Sequence, residues 1–114
     1  LDGKILRKEI YWADLNPIRG QEQGGTRPVL VISNNIFNQR SGTVVILAIT
    51  SVEPKVKYPL VLELECSSLP KRSWVKITQI RTISIERIKN YIGSISVQQM
   101  QQIIQAINDL IDRD

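Results

Sequence analysis

The chain has 114 residues, 42% of them hydrophobic, with a formal net charge of +4 and a sequence pI of about 9.5. It contains no histidine and a single cysteine, Cys66. These facts exclude His-built metal sites, Ser-His-Asp triads, His-His ribonuclease chemistry and an intrachain disulfide. The length supports one domain with one core, taken as 1–114 with residues 1–8 as a flexible N-terminal extension. The apolar run VVILAI is six residues, far short of the ~20 a membrane span requires. LDGKILRKE at the start carries no signal-peptide h-region. The expectation is a cytoplasmic protein with no membrane partner.

In chain order, Ile10 to Leu15 reads as a strand stopped by Asn16-Pro17. Arg19 to Thr26 is a glycine-rich polar loop, and Val29 to Ser33 is an apolar strand buried on both faces. Ile36 to Ser41 reads as a loop or single turn after Asn34-Asn35, and Thr43 to Thr50 as a second buried strand. Val52 to Pro59 is a loop with two prolines, and Leu60 to Leu64 a strand. Ser73 to Ile83 alternates as a longer strand, with Val75, Ile77, Gln79 and Arg81 on one side. A helical turn near Ser84 to Ile88 and a short strand from Tyr91 to Ile95 follow. The last element is a helix. Ser96 and Gln99 fit a capping box, and Val97, Met100, Ile103, Ile104, Ile107, Leu110 and Ile111 form an apolar stripe meant for the sheet. This succession predicts a mainly β (α+β) fold: a small, strongly curved antiparallel sheet or partly open barrel with a C-terminal helix.

Chemistry concentrates at strand ends. If the two buried strands pair as antiparallel neighbours, Arg27 at the start of one lies near Thr50 at the end of the other. A guanidinium fork suits phosphoryl oxygens, and this pair places a hydroxyl beside it. The polar residues around the pair offer further contacts to a phosphate-bearing ligand. They are Arg19, Gln21, Glu22, Gln23 and Thr26 in the loop, Ser51 after the second strand, and Lys76, Gln79 and Arg81 on the long strand. The basic residues are dispersed along the chain, so only a fold could gather them. No metal site and no cofactor is expected, since no histidine and no evident carboxylate cluster exist to hold two metals for water attack.

At these residues the chain resembles the MazF/PemK family of toxin endoribonucleases, or mRNA interferases. The shared segments are IYWADLNP, GQEQGGTRPVLVISN, AITS, QIRT and the late GSIS before the helix. The resemblance implies an SH3-like barrel, a homodimer and metal-independent cleavage of mRNA at short specific sequences, leaving 2′,3′-cyclic phosphate and 5′-hydroxyl ends. It also implies inhibition by a cognate MazE-like antitoxin whose acidic, flexible tail occupies the RNA groove, and it gives the catalytic roles to Arg27 and Thr50. Some members use a flap histidine and an aspartate before the Q-x-R-T run as acid and base. Gln21 and Thr78 stand there in this chain, which leaves water or a transiently neutral Arg27 as proton acceptor. Two other readings compete. A CcdB-like gyrase poison would carry a C-terminal Trp-Gly-Ile, whereas this chain ends DLIDRD. A non-catalytic SH3-like RNA-binding module would need exposed aromatic platforms, and the chain has only six aromatic residues.

Overall fold

The computed structural model describes residues 4–17, 19–22 and 24–112. Six strands form one antiparallel sheet: β1 (Glu9–Asp14), β2 (Thr26–Val31), β3 (Thr43–Thr50), β4 (Val61–Glu63), β5 (Trp74–Ser84) and β6 (Ile88–Ser94). Their order is β4-β5-β3-β2-β1-β6. Two helices, α1 (Asn35–Ser41) and α2 (Val97–Ile111), and a single 3-10 turn at Ile85–Arg87 complete the fold. This is the predicted mainly β architecture with a C-terminal helix. It is open, because β4 and β6 are the two outer strands.

The strands at the centre have apolar residues at consecutive positions because both of their faces are covered. Val29, Val31, Val44, Ile46 and Ala48 face one core together with Ala13, Leu15 and Ile83. Leu30, Leu47 and Ile49 face a second core, closed by Met100, Ile103 and Ala106 of α2. The first core also takes Ile5, which is only 8% exposed, and the Lys8 N–H donates to the Val31 carbonyl at 2.9 Å. Ile5 and Lys8 are therefore tied to the sheet, within the segment expected to be a flexible extension.

Three local readings need correction. Residues 35–41 form a helix, capped by the Asn34 side chain at the Phe37 N–H and ended by Gly42 at φ 69°. Its buried residue is polar: the Asn38 amide donates to the carbonyls of Ile5 and Ser33 at 3.2 and 3.1 Å. No apolar stripe announces such a helix. The alternation along β5 is also interrupted. Leu47 pairs with Ile80 but Ile49 with Val75, so a bulge separates the two registers. Direct partners share a face, so Val75 lies on the α2 side while Arg81, opposite Ile46, lies on the other. On α2 the stripe is shorter than its sequence: Val97 and Ile111 remain 57% and 71% exposed, and Leu110 is exposed as well.

The start of α2 is tied to β4 by an unexpected route. Ser96 Oγ accepts from the Gln99 N–H at 3.0 Å, as a cap should. The Gln99 side chain, however, donates to the Glu63 carbonyl at 2.9 Å and accepts from the Glu65 N–H at 2.7 Å. It satisfies backbone groups at the end of a sheet-edge strand, where no neighbouring strand is present to do so.

Candidate nucleic-acid interface

The β2–β3 register decides the site. Val29, Leu30 and Val31 pair with Ala48, Leu47 and Ile46. Continued by two residues, that register sets Arg27 opposite Thr50, as the sequence predicts. Both line one cleft of about 280 Å³, shared with Val52, Glu53, Pro54 and Lys76. Arg27 is half-buried, and its Nε donates to the Gly24 carbonyl at 2.7 Å. That bond fixes the guanidinium under the polar loop and leaves its Nη edge for a ligand. Thr50 is 8% exposed. Its Oγ1 accepts from the Val52 N–H at 3.2 Å, so it starts the next turn, and the hydroxyl proton is not used by that bond.

The loop above the cleft is built by its own polar groups. Leu15 N–H donates to the Gly25 carbonyl at 3.0 Å, and the Gly25 N–H to Asn16 Oδ1 at 3.0 Å. Gly25 holds φ 77°, a conformation that glycine adopts without cost. Arg19, Gln21 and Glu22 are exposed, with the Arg19 N–H held by Glu22 Oε1 at 2.8 Å. Gln23 lies outside the described residues. Thr26 and Ser51 are exposed and line a second cleft on the far side of Arg27. Gln79 is half-buried within the β5 bulge.

Arg81 serves a different end. Its Nη1 donates to the Leu15 carbonyl at 3.1 Å, and Arg87, which the sequence reading passed over, donates to the carbonyls of Asp14 and Asn16. Two arginines thus brace the base of the loop, where the chain leaves β1 and its carbonyls have no strand partner. Glu53 was missed too. It joins Arg27, Thr50 and Lys76 in the cleft, and it stands 3.9 Å from Arg72. A lone glutamate in a proline-containing loop has no spacing that would flag it. Among the described residues, no group of three or more His, Cys, Asp or Glu is arranged to hold a metal ion, and no helix is long and apolar enough to cross a membrane.

The family profile for PemK-like, MazF-like toxins of type II toxin–antitoxin systems matches residues 6–111. The chain belongs to that family. It is 40% identical over 106 residues to the endoribonuclease MazF of Staphylococcus saprophyticus, a match covering 91% of this chain and 88% of the relative. The PemK/MazF fold is also evident in solved structures. A crystal structure of MazF from Deinococcus radiodurans superposes with a TM-score of 0.85 at 22% identity, covering 97% of this chain and 99% of that one. A mycobacterial endoribonuclease, solved in complex with its cognate antitoxin, gives 0.78 at 24% identity, covering 96% and 97% of the two chains.

Proposed function

We propose that this PemK/MazF-family toxin is an endoribonuclease that cuts single-stranded mRNA at short specific sequences and is held in check by a MazE-like antitoxin. The observation that carries the reading is the cleft in which Arg27 meets Thr50 across the β2–β3 register. The 40%-identical endoribonuclease relative supports it. An mRNA substrate puts the working protein in the cytoplasm. A CcdB-like poison has no use for a paired guanidinium and hydroxyl.

In this mechanism the Arg27 Nη edge binds two phosphoryl oxygens and neutralises the charge that grows on them. Thr50 holds the 2′-hydroxyl in line with the bond to be broken. The 2′-oxygen forms a bond to phosphorus, its proton passes to an acceptor, and the bond to the 5′-oxygen breaks. Solvent returns a proton to the leaving 5′-oxygen, and the products are a 2′,3′-cyclic phosphate and a 5′-hydroxyl. We assign the acceptor role to Glu53, the carboxylate that lines this cleft. Lys76, in the same cleft, adds positive charge for the phosphate backbone.

The test uses an oligoribonucleotide spanning a mapped cleavage site, with a single 2′-deoxy substitution at the scissile nucleotide and chelator in excess. Cleavage of the all-ribose strand should continue. The 2′-deoxy strand should bind and stay intact, since only the nucleophile is missing. Cutting of the 2′-deoxy strand, or products with 5′-phosphate ends, would make water the nucleophile and refute these roles.

A further inference from the structure

Arg27 lies between two clefts, and only one of them is used by the mechanism above. The other, of about 270 Å³, is lined by Trp12, Pro28, Ile49 and the Leu69-Pro70-Lys71 stretch of the β4–β5 connection, with Thr26, Arg27, Ser51 and Ser73 on its rim. Strand register explains its wall. Trp12 pairs with Pro28, and the β2–β3 register extended by one residue sets Pro28 opposite Ile49. The three therefore form one row across β1, β2 and β3, on the face that carries the α2 core. Arg27 pairs with Ala13 on the opposite face, and Thr50 follows it by register. The two clefts thus flank the ends of β2 and β3, with the guanidinium between them.

We infer that this second cleft receives the nucleobase immediately 3′ of the scissile phosphate. The inference rests on the ribonuclease reading and follows from in-line geometry. The leaving 5′-oxygen departs from the side of phosphorus opposite the attacking 2′-oxygen. With the phosphate on Arg27 and the 2′-hydroxyl at Thr50, the departing nucleotide is directed away from Thr50, toward the Trp12 row. What it meets there suits a base. Trp12 is half-buried and offers an aromatic surface, Leu69 closes the opposite wall, and the exposed Ser51 and Thr26 hydroxyls can bond base edges. Exposed Lys71 lies at the mouth for the next phosphate. Ile49 and Leu69 anchor the slot to the α2 core, whereas half-buried Trp12 and Pro28 belong to neither core cluster and leave an apolar surface open beside the arginine.

The experiment compares kcat/KM on an oligoribonucleotide spanning a mapped site with that on the same strand made abasic at the first position 3′ or 5′ of the cut. Wild-type protein should lose about 5- to 150-fold on the 3′-abasic strand, the range that one base–aromatic stack contributes. Trp12→Phe should keep most of that penalty. Trp12→Ala and Leu69→Ala should remove it, cutting both strands at similar rates, while the 5′-abasic penalty stays as in wild type. If Trp12→Ala loses its circular dichroism signature, Leu69→Ala on the opposite wall decides. No 3′ penalty in wild type, a 3′ penalty that survives in folded variants, or loss of the 5′ penalty instead would each overturn the subsite. A wild-type protein that cuts no RNA would bring down the ribonuclease reading itself, and the subsite with it.

Discussion

The roles proposed for Arg27 and Glu53, which share one cleft, should separate on single substitution. Arg27→Ala should lower cleavage by at least 10²–10³-fold, about the effect of removing one transition-state donor, with the circular dichroism spectrum unchanged. The side chain is half-buried at a strand end and supports no core residue. Arg27→Lys should rescue little, because a point charge cannot span two oxygens as the planar fork does. Near-normal cutting by folded Arg27→Ala would rule out the site. Glu53→Gln removes a proton acceptor while keeping shape, and should slow kcat by about 10²–10⁴-fold. Its diagnostic is the split between kcat and KM: kcat should fall in the variant while KM stays near that of wild type. A raised KM with kcat unchanged would mean that Glu53 only helps to hold the substrate.

Among the elements, α2 is held by its first turn as much as by its stripe. Gln99 is 3% exposed and bonds backbone groups on both sides of Leu64. Gln99→Ala leaves a part-buried N–H and carbonyl without this partner, a loss of up to about 1–3 kcal/mol. Ser96→Ala removes only the cap, a loss of about 1 kcal/mol. Urea unfolding should show the larger midpoint shift for Gln99→Ala, with the slope unchanged in both variants. Equal midpoints for Gln99→Ala and wild type would show that water replaces these bonds without loss. The bulge in β5 matters equally for function. It carries the strand from one core to the other, so Lys76 can serve the cleft while Arg81 braces the loop base.

For the whole molecule, the outstanding question is assembly. The single chain leaves Ile36, Val97 and Ile111 from 57% to 71% exposed, and the family resemblance implies a second copy as partner. We expect a homodimer in sedimentation with reductant and chelator present, since one cysteine offers no intrachain disulfide. A monomer at micromolar concentration would contradict it. If the cleft binds RNA phosphates as proposed, it should also hold an acidic, disordered antitoxin tail, which accepts a large ordering cost in exchange for a wide footprint. An uncleavable 2′-deoxy RNA should therefore lose affinity as antitoxin saturates the toxin. Unchanged affinity would mean separate sites.

Much of this protein is legible in its residues because the signals are local. Strand periodicity, the Ser96 cap and the apolar face of α2 depend on neighbours within a few positions, and TVVILAIT marks β3 to the residue. The Arg27–Thr50 pairing was within reach because the polar residues that bound two neighbouring apolar strands come side by side when those strands pair antiparallel. Other features arise only from contacts distant in sequence. Helix α1 exists through Asn38 reaching Ile5, 33 positions away. The face of Arg81 is set by a bulge that no alternation predicts, and its bond spans 66 positions to Leu15. Glu53, and the slot formed by Trp12, Pro28 and Leu69, come together through the packing of separate strands and loops. Residue chemistry determined what kind of reaction this chain can run, and tertiary register decided which side chains surround it, because register, unlike propensity, is a property of strands already paired.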